Sequence, residues 1–94
     1  MHKAIWNGEI IAESKSTKVL DGNRYFPKKS LKRKFVKNSE TYFISSDKGK
    51  AKFMNLVVDD KVNWNGAWYY TKPKKNVSDI KNFVAFGPGV TIEK

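Results

Sequence analysis

Trp68, Tyr69 and Tyr70 stand in a row, Pro73 closes the run, and Lys72, Lys74 and Lys75 crowd round it. In an extended strand Trp68 and Tyr70 face one way, and Ala67 and Tyr69 the other. One of those faces builds core. If the Trp68–Tyr70 face lines a pocket instead, it offers flat surfaces to a base, and the tyrosine hydroxyl adds orientation. Lysines beside open rings supply charge for a phosphate backbone. Without a ligand the same lysines are a solvated loop.

Other side chains widen or narrow the chemistry. Arg24 is the best clamp for phosphate or carboxylate, because its planar fork bonds two oxygens at once; a surface ion pair with Glu13 or Asp21 is the plainer reading. Tyr25, next to it, points to the opposite face of an extended chain. Lys48-Gly49 within "DKGKAK" could set a cation and a backbone amide near an anion, or form a simple turn. Lys81 lies between Ile80 and Phe83, so its ammonium reaches a pocket or its stem runs along the surface. The ligand-binding candidates are therefore Arg24, Tyr25, Lys48, Trp68, Tyr70 and Lys81.

Several reaction classes lack their residues. There is no cysteine and only one histidine, His2. Thiol catalysis is absent, histidine catalysis nearly so, and a zinc site has no ligand set. Asp59 and Asp60 are adjacent, so on a strand they diverge, and they read as a turn. Glu9 and Glu13 share a face of a regular strand but stand more than about 10 Å apart, at roughly 3.3 Å per residue, too far to share one metal. The paired glycines of a phosphate loop are missing. No metal and no cofactor are expected.

Charge sets the candidate partner. Nineteen Lys and Arg oppose nine Asp and Glu, a net charge of +10. Six basic residues and no acid fall between Lys28 and Lys37. Such a field draws in phosphate-rich partners, or simply keeps a small protein soluble.

The elements that must hold these residues are short. Asn7-Gly8, Asp21-Gly22-Asn23, Asp47-Lys48-Gly49, Asp59-Asp60, Asn65-Gly66 and Gly87-Pro88-Gly89 separate β-branched and aromatic runs. That spacing predicts antiparallel strands joined by tight turns. "KKSLKRKFVKN" after Pro27 predicts one short helix near residues 28–36, with Leu31 and Phe35 docked and the lysines wet. "VSDIKNF" predicts a further turn capped by Ser78. The whole, residues 1–94, reads as one mainly β domain. No apolar run approaches the roughly 20 residues of a membrane helix, so a cytoplasmic protein with no membrane partner is expected.

"AIWNGEIIAES", "GNRYFP" and "GAWYYTKPKKNVSDIKNFVAFGPGVTIE", in that order, resemble a widespread bacterial family, domain of unknown function 427 (DUF427). The resemblance covers nearly the whole chain. It implies a β-tent: two antiparallel sheets leaning together over a pocket. It also brings the label nucleotidyltransferase. Relatives often carry Asn-His-Tyr-Phe-Pro where this chain has Arg24 in second place. They often carry Cys-Pro-Trp-Lys-Gly where it reads Ser45-Ser46-Asp47-Lys48-Gly49, so any chemistry of that thiol is lost here. The expected function is non-covalent binding of a nucleotide or nucleic acid in a pocket between the sheets. The alternatives are a nucleotidyltransferase-like enzyme and a protein-interaction module that docks through the basic helix.

Overall fold

Tight turns punctuate the chain where their residue types predict them. The computed structural model describes residues 1–94. Asn7 (φ 49°) with Gly8 (φ 80°), Asp21 (φ 51°) with Gly22 (φ 78°), and Asp59 (φ 48°) with Asp60 (φ 63°) all adopt left-handed backbone. Two consecutive residues of that kind match the right-handed twist of the strands they join. The strands so delimited are β1 (His2–Trp6), β2 (Glu9–Ser14), β3 (Lys18–Leu20), β4 (Asn23–Pro27), β5 (Val36–Ser45), β6 (Gly49–Val58), β7 (Lys61–Tyr70), β8 (Phe83–Phe86) and β9 (Thr91–Glu93). They form a three-stranded sheet, β2-β1-β9, and a six-stranded sheet, β3-β4-β8-β7-β6-β5. Every pairing is antiparallel. No helix is long and apolar enough to cross a membrane.

The main core lies where the two sheets face each other. Ala4, Ile11 and Ala12 of the small sheet pack with Phe26, Met54, Leu56, Val84 and Phe86 of the large one. Phe26 and Phe86 meet edge to face at 5.6 Å, a favoured aromatic geometry. The β1–β2 register shifts between Ala4 and Ile5, leaving Ile11 as the extra residue on β2. Side-chain alternation breaks there, so Ile11 and Ala12 are both buried. The break also means that Glu9 and Glu13 do not share a face in the way a regular strand would impose.

A second cluster covers the outer face of the large sheet. Tyr25, Ala51, Tyr70 and Ala85 lie beneath Val77 and Ile80, which come from a 3-10 segment, Lys75–Ile80. No side chain caps that segment, and Lys74 rather than Ser78 precedes it.

Two sequence expectations take a different local form. Between residues 28 and 36 there is no continuous helix but two single 3-10 turns, Lys28–Ser30 and Arg33–Phe35. Leu31 between them is extended (φ −67°, ψ 136°). It forms an antiparallel bridge to Ala12, and the Lys32 amide donates to the Ile11 carbonyl at 2.8 Å. Pairing with β2 buries Leu31 and outcompetes a helix supported by only one i, i+4 apolar pair. Asn65-Gly66 is likewise no hairpin turn; it lies inside β7 as an irregularity where the β6–β7 register shifts. Asn65 takes φ 55°, and its amide is satisfied by Asn55 Oδ1 at 2.8 Å.

Candidate functional site

The six sequence candidates fall into three places. Tyr25, Trp68 and Tyr70 gather on the outer face of the large sheet. Tyr25 is 2% exposed and Tyr70 5%. Trp68 is half-buried at the margin, edge-on to Phe53 at 6.4 Å. The Lys75–Ile80 segment covers this cluster, so Tyr25 and Tyr70 are core rings with little surface left for a ligand.

Lys48 approaches the same cluster from the β5–β6 turn but arrives paired. Its Nζ lies 2.5 Å from Asp21 Oδ2 and 3.6 Å from Asp47 Oδ2. The hydrogen bond to Asp21 leads in raising the Lys48 pKa above its ordinary value. Burial, first, and the neighbouring Tyr25 raise the Tyr70 hydroxyl. The Ser45 hydroxyl donates to Asp47 Oδ1 at 3.0 Å and is the main cause that lowers the Asp47 carboxyl. The Lys74 amide donates to the Lys48 carbonyl at 2.9 Å. Lys48 thus ties the β3–β4 turn to the β5–β6 turn, and Ser45 holds the latter turn together.

Arg24 projects from the other side of β4. Its Nη1 donates to Thr17 Oγ1 at 2.7 Å, and Thr17 Oγ1 lies 3.4 Å from His2 Nδ1. Burial leads, and Arg24 follows, in lowering the His2 pKa. Arg24 therefore pins the loop between β2 and β3.

Lys81 stands apart from all of these and has different company. It lines an open cleft of about 900 Å³ with Glu13, Lys28, Lys29, Arg33 and Asn82. The cleft lies at the seam of the two sheets. The end of β2 forms one wall; the end of β4, its 3-10 turns and the start of β8 form the other. The Lys28 amide donates to the Asn82 carbonyl at 2.8 Å, which joins the two segments that carry the cations. Chain ion pairs are limited to Lys3–Glu13 and the two made by Lys48. The four cleft cations therefore lack a carboxylate partner, and Glu13 at 3.9 Å already leans on Lys3. Sequence reasoning reached Lys81. It placed Lys28, Lys29 and Arg33 on a wet helix face; the acid-free run from Lys28 to Lys37 was the signal.

No three of the chain's His, Asp and Glu side chains stand close enough to share a metal ion. Compared with known proteins, the chain has no match among curated ones. A family model described as a domain of unknown function (DUF427) matches residues 2–93.

Proposed function

The chain belongs to the DUF427 family, and we propose that it binds a phosphate-bearing anion, a nucleotide or nucleic acid, non-covalently in the cleft between its two sheets. One observation carries this reading: four cations that have no carboxylate partner, Lys28, Lys29, Arg33 and Lys81, line one concavity. Like charges gathered without counter-charges repel, so an anion entering the cleft relieves the repulsion as well as gaining its own contacts. Arg33 offers the two-pronged bond that suits a phosphate, and the lysines act as point charges around it. The reading takes the protein as cytoplasmic.

Nucleotidyl transfer would ask for carboxylates gathered around divalent metal. Glu13 is the single acid at the cleft, and no such group forms elsewhere. The residues present do not fit that metal. The interaction-module alternative relied on a continuous basic helix, and the segment is two separate turns.

The test is an amide-shift titration with pyrophosphate and with adenosine monophosphate at two salt concentrations. Shifts should concentrate at residues 28–33 and 81–83, and affinity should fall as salt rises. The double change Arg33→Glu, Lys81→Glu should cut affinity at least about tenfold with thermal stability nearly unchanged, as for exposed surface positions. Salt-independent binding, or shifts confined to other regions, would refute the proposal.

A further inference from the structure

The small sheet covers only part of the large sheet's inner face. Beyond Met54 that face continues along β5, β6 and β7 without cover. Tyr42 pairs in register with Lys52, and Lys52 with Tyr69. Directly paired residues share a face, so one row across three strands reads ring, cation, ring. The rings stand two strand spacings apart, about 10 Å. In the next row Ile44 pairs with Lys50. Tyr42 is 55% exposed and Ile44 73%, whereas Tyr69 rests one edge on the core.

Cations sit over both rings. Lys50 Nζ is 4.5 Å from the centroid of Tyr42, and Lys28 Nζ is 4.0 Å from that of Tyr69. Lys28 also lines the cleft, so it joins the two surfaces. Glu40 is the one acid bordering the row, and it has no ion-pair partner in the chain.

We propose that the Tyr42–Lys52–Tyr69 row is a base-stacking platform for single-stranded nucleic acid, whose phosphates pass over Lys28 into the cleft. This rests on the cleft reading and names its partner. The strand must be unpaired, because a duplex hides the base faces that the tyrosines would meet. A base settling on Tyr42 or Tyr69 displaces an ammonium from the ring. Stacking outweighs an exposed cation–ring contact, and the freed lysine turns to a phosphate. Two rings with interleaved cations suit a chain of nucleotides better than one nucleotide. Binding should be tolerant of sequence, since every base has a face to offer.

The experiment titrates an oligomer of eight thymidylates, and separately adenosine monophosphate, into wild type, Tyr42→Ala and Tyr42→Phe. Tyr42 is exposed, so neither change threatens the fold. The oligomer should shift Tyr42, Lys52 and Tyr69 together with the cleft amides. Tyr42→Ala should weaken it about 5- to 150-fold, Tyr42→Phe should restore most of that, and the mononucleotide should bind all three alike. If Tyr42→Ala leaves oligomer affinity unchanged, or the oligomer perturbs the cleft alone, the platform is refuted and the cleft reading stands. If polyglutamate of equal charge competes as well as the oligomer, the platform is refuted too, because rings add nothing. If neither nucleotide ligand perturbs the cleft, the cleft reading fails and the platform falls with it.

Discussion

On one side of β7, Trp68 and Tyr70 lie against a cluster roofed by Val77 and Ile80. On the other, Tyr69 continues an uncovered row to Lys52 and Tyr42. Each side has a lysine close to its rings: Lys48 near Tyr70, Lys28 over Tyr69. The residue types nearly match, yet the sides differ in two respects. The first is cover: a six-residue 3-10 segment shields one face, and nothing shields the far end of the other. The second is counter-charge: Lys48 has Asp21 and Asp47, whereas Lys28 has only a ring. A satisfied lysine beside a buried ring holds a fold together. An unsatisfied lysine beside an open ring has interactions left to make. Ring-and-lysine composition does not distinguish the two situations; burial and pairing do.

The sharpest way to break this contrast is to truncate the covered side. Tyr25→Ala should cost about 3–5 kcal/mol of stability, the range for a large buried ring, read from urea unfolding. Anion affinity of the folded protein should not change. If affinity dropped while stability held, the covered face would be a ligand site after all.

A smaller effect is expected at the turn that carries Lys48. Gly49 has φ +106°, and a Cβ there would lie 2.8 Å from the Lys72 carbonyl oxygen. Gly49→Ala should therefore destabilise by about 1–3 kcal/mol, measured in the same way. An unperturbed midpoint would mean that the turn and the Thr71–Lys74 loop are not held together as tightly as their hydrogen bonds imply.

The smallest effect is a dependence on alkaline pH. Burial holds the Tyr70 hydroxyl above its ordinary value of 10.0, and the bond to Asp21 leads in holding Lys48 above 10.5. In both cases the folded chain keeps its proton more tightly than the unfolded chain. Stability is then intact below about pH 10 and declines as pH climbs through the raised values. Tyr70→Phe should make that decline shallower in a series of urea midpoints taken from neutral to alkaline pH. An equally steep decline would remove Tyr70 from the account and leave Lys48.

Much of the fold was legible from local chemistry. Asn7-Gly8, Asp21-Gly22 and Asp59-Asp60 announced their turns because few residue types accept left-handed backbone. The resemblance to DUF427 agreed with the family match over residues 2–93. Misreadings arose where a distant partner overrode a local preference. Leu31 gave up a helix for a bridge to Ala12, and Asn65-Gly66 stayed within a strand because Asn55 satisfied its amide. The candidate residues show the same division. Alternation correctly set Trp68 and Tyr70 on one face, but periodicity is blind to which face receives a roof.

Residue order was enough to set the β character, most of the turn positions, the lack of any thiol, and the excess of positive charge. Those properties depend on near neighbours or on counting. Folding alone settled which cations keep no partner, which rings stay uncovered, and that Lys81 meets Lys28, Lys29 and Arg33 while Lys48 meets Asp21. Such outcomes come from contacts between segments tens of residues apart, and the pattern within any one segment does not encode them.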